Sequence, residues 1–230
     1  MARRMVFQDK PMTGIVTVWD LAVRLFHWSL VGLMVAAWVT HKLDRMEWHA
    51  LVGYAVLTLV LFRLAWGVVG GRHARFADFL RGPITVVAYA RDFFALRAAP
   101  MLGHNPLGGW MVLVLLLALL GQGGLGLFAT DDVAFDGPLN RLIASKTAAA
   151  LTTAHKLLFK LILGLVALHL AGVAAHWLVE RDNLVWPMVT GRKRLRPHQA
   201  AEDADGGSLW LALGVVMAAA MVVWVVVTKV

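Results

Sequence analysis

Five apolar stretches, each at least about 20 residues long, constrain the fold of this chain more than any other feature. They cover approximately residues 21–41, 49–69, 107–129, 153–179 and 208–228. An α-helix of about 20 mostly apolar residues spans the hydrocarbon core of a bilayer. Hydrophobic residues make up 60% of the chain and charged residues only 16%. This composition contains too few polar residues to cover the surface of a water-soluble protein. The sequence therefore predicts an all-α integral membrane protein with five transmembrane helices.

The Lys and Arg residues of the connections predict the orientation, because positive side chains collect on the cytoplasmic side. The N-terminal segment through Arg24, the connection 70–106 and the connection 180–207 carry fourteen of them, whereas the opposite side carries five. We therefore expect a short cytoplasmic N-terminal lead and a C-terminus outside the cell membrane. The net charge of +8 is then explained by the orientation of the chain in the membrane, and no nucleic-acid partner is predicted.

The composition of the connections predicts how the chain is organised. Residues 84–97 mix aromatic, aliphatic and charged side chains, which suits a helix lying among membrane lipid at the inner interface. Residues 131–141 form an acidic outer loop, and residues 196–207 are typical of a flexible linker. We therefore divide the chain into a main domain at 1–195, a linker at 196–207 and an additional transmembrane helix at 208–230.

Histidines are the candidate metal ligands, since the chain has nine of them and no cysteine. The lack of cysteine excludes thiolate zinc sites, iron–sulfur clusters and covalently attached c-type haem. His155 and His169 lie fourteen residues apart in the fourth stretch, so both project from one helix face about 21 Å apart. Haem needs one ligand above and one below, whereas zinc needs three or four ligands in one cluster. The spacing predicts two metal centres stacked across the membrane.

Each of these two histidines needs a partner at its own depth on another helix. His27, near the inner end of the first stretch, lies at the depth of His169. At the depth of His155, His41 ends the first stretch and His49 begins the second. The spacing leaves the choice between His41 and His49 open. The alternative interpretation is that the histidines only pack helices together and bond to backbone carbonyls.

Several motifs resemble the prokaryotic cytochrome b561 family, which includes the b-type cytochrome subunits of nickel–iron hydrogenases. They are WD at 19–20, RLFHW at 24–28, WHALVGY at 48–54, FRLAWG at 62–67, GHNPLGG at 103–109, HKL at 155–157 with His169, and WPMVTGRKR at 186–194. The resemblance covers approximately residues 15–195 and leaves the fifth stretch outside. It implies a four-helix transmembrane bundle that holds two b haems in the bacterial inner membrane. In that membrane, the C-terminus that the loop charges put outside is periplasmic.

The resemblance also implies the ligands and the function. Carried over by position, the ligands are His27 and His169 for the inner haem, and His49 and His155 for the outer haem. Iron with two histidine ligands has no open coordination position, which favours electron transfer over oxygen chemistry. The implied function is electron transfer between the quinone pool and a periplasmic partner, namely a c-type cytochrome, a hydrogenase subunit or another dehydrogenase.

Three cations are candidate partners of the haem propionates within this resemblance. Arg63 follows His49 by fourteen residues, on the same helix face and at the inner depth. Arg24 lies one turn before His27, also at the inner level. Lys156 lies near the start of the fourth stretch, at the outer level. Each of these side chains could instead reach the lipid headgroups.

The segment GHNPLGG at 103–109 is a candidate quinone site at the inner end of the third stretch. Asn105 can donate hydrogen bonds through its amide, and His104 can donate one or take up a proton. The alternative interpretation is an ordinary helix start, with Asn105 as the cap and Pro106 at the first helical position.

Two other functions are consistent with the sequence. The chain could be a self-contained superoxide or quinone oxidoreductase, with the outer Lys and Arg residues steering an anion to its surface. It could also be a non-redox membrane anchor or transporter whose histidines bind a metal ion. Activity of the isolated chain tests the first possibility, and a colourless purified protein would support the second.

Overall fold

A computed structural model describes residues 14–97, 101, 103–194 and 207–229, and helices dominate this part of the chain. The helices in chain order are α1 Leu21–Lys42, α2 Met46–Val69, α3 Phe76–Phe79, α4 Pro83–Phe94, α5 Pro106–Gly126, α6 Ser145–Val179, α7 Val185–Thr190 and α8 Leu209–Lys229. Helices α1, α2, α5, α6 and α8 are long and apolar enough to cross a membrane. The predicted all-α fold with five membrane-spanning helices is confirmed.

The start of α6 is the largest difference from the predicted bounds. This helix begins at Ser145, whereas hydropathy placed the start of the span near residue 153. The added turns contain three consecutive alanines, which favour a helix strongly without adding much hydropathy. Lys156 therefore lies well inside α6 and not near its start. Helix α4 matches the predicted interfacial segment 84–97, and most of its apolar side chains are exposed.

A two-stranded ribbon that sequence analysis did not predict joins the two ends of the main domain. Strand β1, Ile15–Thr17, pairs antiparallel with strand β2, Arg192–Arg194. Gly191, just before β2, has a φ of 81°, a conformation that glycine adopts without strain. We call the end of the bundle that carries this ribbon the proximal end, and the opposite end the distal end.

The start of α1 is tied to α2 by one carboxylate. Asp20 caps α1, since its Oδ1 accepts a hydrogen bond from the Val23 amide at 2.7 Å. Its Oδ2 accepts a second one from Trp66 Nε1 at 3.1 Å. Trp66 is fully buried in α2, so this bond fixes the proximal ends of the two helices against each other.

The four helices of the main domain form a bundle with one open seam. Helix α2 packs against α1 and α5, and α5 packs against α6, but α1 and α6 are barely in contact. The seam between α1 and α6 therefore has room for a flat group between apolar walls.

Helix α8 lies outside this seam and packs along α2. Its buried residues are Ala212, Ala219 and Val223, whose small side chains allow close approach. The predicted N-terminal lead up to residue 13 lies outside the described residues, and so does the predicted linker except Gly207.

Candidate functional site

At the distal end, the structure brings together two of the predicted ligands. The rings of His49, in the first turn of α2, and His155, in α6, have centroids 6.3 Å apart and planes at 87°. Two imidazoles that bind opposite sides of one metal ion at about 2 Å have ring centres roughly 6 Å apart. The separation of the two rings fits a single metal ion between them.

Hydrogen bonds fix the tautomers of both distal rings. His49 Nδ1 lies 2.8 Å from the carbonyl oxygen of Ala37, and His155 Nδ1 lies 3.0 Å from that of Gln122. A carbonyl oxygen only accepts, so each Nδ1 carries the proton and each Nε2 keeps its lone pair. Metal-binding histidines are typically oriented in this way by a backbone carbonyl. The side-chain amide of Gln122 donates to the lone pair of His155 Nε2 at 3.1 Å.

The alternative distal ligand, His41, lies next to His49. The ring centroids of His41 and His49 are 5.6 Å apart, and His41 is exposed at the end of α1. The ring facing His155 across the seam is therefore that of His49. The geometry favours His49 over His41 as the partner of His155, a choice that spacing alone left open.

At the proximal end, His27 of α1 and His169 of α6 are near enough to interact electrostatically across the seam. His27 differs from the distal histidines, because its Nδ1 is buried without a hydrogen-bond partner. Its ring contacts Trp28 edge-on, with centroids 4.9 Å apart. His27 and His169 are therefore close in space, and no hydrogen bond to the protein sets the tautomer of His27 through Nδ1.

Buried nitrogen atoms without partners are concentrated at this proximal end. Arg63 is only 2% exposed, its Nη1 has no hydrogen-bond partner, and its guanidinium lies 5.2 Å from the centre of the Phe76 ring. Asp20 is the carboxylate that interacts with this charge, and its own oxygens already accept two hydrogen bonds. A buried cation with a spare donor is costly unless an anion reaches it. Arg63 therefore suits a haem propionate.

The other two predicted propionate partners differ in their surroundings. Arg24 donates through Nη1 to the carbonyl oxygen of Val189 at 2.7 Å, and its Nε is buried without a partner. It thus has one donor available at the proximal level. Lys156 is exposed on α6 and interacts electrostatically with His155 and His41, so it lies at the distal level.

The predicted quinone residue His104 is wedged between two aromatic rings. Its centroid lies 4.5 Å from that of Trp19 and 4.4 Å from that of Phe79, and its Nδ1 is buried without a partner. Burial, and next the positive charge of Arg63, lowers the pKa of His104 to about 3. The ring is therefore neutral near pH 7, so it suits a hydrogen bond to a ligand better than uptake of a proton.

Asn105 forms the helix cap that was the alternative interpretation of this segment. Its Oδ1 accepts a hydrogen bond from the Gly108 amide at 2.7 Å, which begins α5. Its Nδ2 donates to Nε2 of His176 at 2.8 Å. Sequence analysis did not select His176, although its position seven residues after His169 puts both on one face of α6.

These histidine pairs lie on α1, α2 and α6, within the part of the chain that a known family matches. The family model of prokaryotic cytochrome b561 matches residues 18–191. The chain belongs to the prokaryotic cytochrome b561 family. The predicted family is thereby confirmed, and the chain is a membrane b-type cytochrome that binds haem b and transfers electrons. Helix α8 lies beyond the matched residues, and no curated protein and no solved structure matches the chain.

Proposed function

We propose that this cytochrome holds two b haems, one at each end of the seam, and carries electrons across the membrane. The proximal haem has His27 and His169 as its ligands, and the distal haem has His49 and His155. The observation that carries the proposal is the distal pair, with ring centroids 6.3 Å apart and each Nδ1 donating to a backbone carbonyl. Bound haem supplies an iron that alternates between the ferric and ferrous states.

The protein contributes position and surroundings to this electron transfer. His155 and His169 are fourteen residues apart on α6, which sets the ligand levels about 21 Å apart. The same helix holds both haems, so their separation is fixed by a rigid element. The apolar side chains of the bundle keep water away from the seam, and the buried Arg63 offsets the negative charge of a propionate at the proximal level.

The two ends of the bundle meet different partners in this proposal. The distribution of Lys and Arg supports a proximal end at the cytoplasm and a distal end at the periplasm of the bacterial inner membrane. A c-type cytochrome, a hydrogenase subunit or another dehydrogenase then exchanges electrons with the distal haem. Three aspartates of the outer loop lie on this side: Asp131, Asp132 and Asp136. This loop suits contact with a basic partner, while the Lys and Arg residues on the same side would attract an anionic molecule such as superoxide.

The quinone site belongs at the proximal end, beside His104 and the start of α5. His104 offers one hydrogen bond from a neutral ring, and its Nδ1 is buried without a partner. His104→Leu should slow oxidation of the proximal haem by a soluble quinone at least several-fold while haem content stays unchanged. His73→Leu, in the short 3-10 helix Arg72–Ala74, removes a second proximal histidine and is the control. Equal quinone rates in both variants would move the quinone site elsewhere.

The function as a whole is tested by haem quantitation together with a reduced-minus-oxidised visible spectrum of the purified chain. We expect two low-spin b haems per chain in both oxidation states. A single haem per chain would contradict the two-level arrangement. A colourless protein would contradict the proposal entirely.

A further inference from the structure

A cavity of about 320 Å³ lies at the proximal end, where α1 and α8 begin. Its walls come from β1 and the start of α1, from the end of α7 and the first residue of β2, and from the start of α8. None of the lining residues that the structure describes belongs to α6, so the cavity lies outside the seam between α1 and α6. Its volume is at the lower end of the range for pockets that bind small molecules.

The guanidinium of Arg24 forms part of the cavity wall. Its Nη1 donates to the carbonyl oxygen of Val189, and its Nε is buried without a hydrogen-bond partner. Gly191, which also lines the cavity, lies against this edge of the guanidinium. A Cβ atom at Gly191 would be only 3.2 Å from Nε and 3.3 Å from Cζ of Arg24. Arg24 therefore brings a cation with an unused donor to the cavity wall, which suits an oxygen of a bound anion.

A second cation and a neutralised carboxylate complete the polar part of the wall. The side chain of Arg192 is exposed, and it forms no ion pair within the part of the chain that the structure describes. Asp20 opposes an anion, but its two oxygens already accept hydrogen bonds from the Val23 amide and from Trp66 Nε1. Its charge also interacts with the buried guanidinium of Arg63. Two guanidinium groups against one occupied carboxylate leave the wall net positive.

The rest of the cavity is apolar and lies at the edge of the membrane. Leu21 and Leu209, the first residues of α1 and α8, both line it and are 41% and 53% exposed. The first residues of membrane-spanning helices lie near the boundary between lipid headgroups and acyl chains. A positive wall beside exposed leucines at this depth suits a ligand that is itself both anionic and apolar.

We propose that this cavity binds the phosphate headgroup of an anionic phospholipid. Arg24 and Arg192 contact the phosphate, and Leu21 and Leu209 contact the start of the acyl chains. Basic pockets between transmembrane helices are suited to such headgroups. Arg24 then binds a lipid phosphate instead of a haem propionate, so the inference does not depend on the proposed haems.

The bound lipid also gives α8 a second attachment to the main domain. Gly207 lies directly against the ring of Trp66, where a Cβ atom would collide with the indole. This contact holds the start of α8 on α2, beside the cavity. A lipid held between the starts of α1 and α8 would bridge the residues of the family match, 18–191, and the helix that lies beyond them.

The test is a titration of the purified full chain in detergent with phosphatidylglycerol, phosphatidylcholine or inorganic phosphate. Native mass spectrometry counts bound lipid, and thermal unfolding measures the stabilisation by each probe. We expect phosphatidylglycerol to bind most tightly, because choline cancels the negative charge and inorganic phosphate lacks an apolar part.

Three arginine variants locate the bound lipid. Arg24→Gln should weaken phosphatidylglycerol binding about tenfold, because a hydrogen bond to a charged group is lost. Arg192→Gln should weaken it about fivefold, the typical contribution of one exposed cation near anionic lipid. Arg91→Gln is the control, since it removes an exposed arginine of α4 that does not line the cavity. It should leave binding unchanged.

Each other outcome overturns the inference. Equal weakening in Arg91→Gln would mean that positive charge attracts the lipid without a site. Equal binding of phosphatidylcholine would exclude selection for an anionic lipid, and equal stabilisation by inorganic phosphate would make the occupant a free anion. Unchanged lipid binding in Arg24→Gln with a lower potential of the proximal haem would assign Arg24 to a propionate. If Arg24→Gln fails to fold because its bond to Val189 is lost, Arg192→Gln decides, and unchanged affinity there refutes the site.

Discussion

The distal and proximal ends of the bundle hold their histidines in two different ways. At the distal end, backbone carbonyls orient His49 and His155 through Nδ1, so both Nε2 atoms keep a lone pair, which in His155 accepts a hydrogen bond from Gln122. At the proximal end, the Nδ1 of His27 has no partner, but the buried guanidinium of Arg63 lies at the same level. The distal end is thus organised by hydrogen bonds to the ligands, and the proximal end by positive charge.

This difference suggests what each end contributes to electron transfer. Fixed tautomers at the distal end favour a constant ligand geometry, so the distal haem should bind firmly and keep one potential. Buried charge at the proximal end shifts the equilibrium between ferric and ferrous iron, because a cation stabilises the added electron. We therefore expect substitutions at the distal end to change haem binding, and substitutions at the proximal end to change the potential.

The strongest test of two separate levels is to remove one α6 ligand at a time. His155→Ala should remove the distal haem and His169→Ala the proximal haem, because each variant leaves one iron without an axial ligand. Haem quantitation should fall from two per chain to one in either case, and redox titration should show which potential is lost. Loss of both haems in both variants, with the helices still folded, would mean that the ends are not independent.

The next largest effect is expected when the distal ligand His49 is substituted, with His41 as the comparison. His49→Ala should abolish the low-spin signal of the distal haem, since this ring lies opposite His155. His41→Ala should leave that signal intact, because His41 is exposed at the end of α1. Electron paramagnetic resonance of the oxidised protein distinguishes the two variants. If His41→Ala abolished the signal and His49→Ala left it intact, His41 would be the distal ligand. The fourteen-residue spacing of His27 and His41 on α1 would then have predicted the ligand correctly.

Substitution of Arg63 tests whether buried positive charge sets the potential of the proximal haem. Arg63→Gln keeps a polar side chain but removes the cation, so the ferrous state of the proximal haem loses stabilisation. At a separation of about 8 Å and an effective dielectric constant of about 20, the loss is about 2 kcal/mol. The midpoint potential of the proximal haem should therefore fall, because the equilibrium constant for its reduction decreases roughly thirtyfold. The distal potential should hardly change, and equal shifts at both ends would contradict the comparison.

Sequence patterns predict the long helices of this fold well, but they predict the contacts between those helices poorly. Hydropathy located all five spans, since a run of about 20 apolar residues has few alternatives to a membrane helix. It missed the first turns of α6, which are rich in alanine and threonine, and it missed the ribbon of β1 and β2. The two strands have only three residues each and come from opposite ends of the main domain. Such a pairing leaves no local periodicity to detect.

The residues of the candidate site were likewise predictable within one helix, but not across helices. Spacing on α6 indicated two levels, because both histidines share one helix and its geometry is fixed. The choice of His49 depends on how α1 and α2 approach α6, which only the tertiary structure provides. His176 lies seven residues after His169, but its contacts with Tyr89 and Asn105 depend on how α4 and α5 pack, which only the tertiary structure provides.

The smallest predicted effect concerns the fit of the distal ring against α5. A Cβ atom at Gly126 would lie 3.2 Å from Cε1 and 3.5 Å from Nδ1 of His155. At Gly124 of the same helix, a Cβ would meet nothing within 4 Å. Gly126→Ala and Gly124→Ala thus change the same residue type at neighbouring positions, but only the first should displace the His155 ring, by a few tenths of an ångström.

That displacement weakens the hydrogen bond from His155 Nδ1 to the Gln122 carbonyl, which is 3.0 Å long. A typical hydrogen bond contributes about 1 kcal/mol, so distal haem affinity in Gly126→Ala should fall roughly fivefold. Gly124→Ala should leave it unchanged, and the proximal haem should bind equally well in both variants. Titration of the haem-free protein with haem measures these affinities. Unchanged distal affinity in Gly126→Ala would mean that the carbonyl of Gln122 does not control the ring, and the contrast between the two ends would then depend on charge alone.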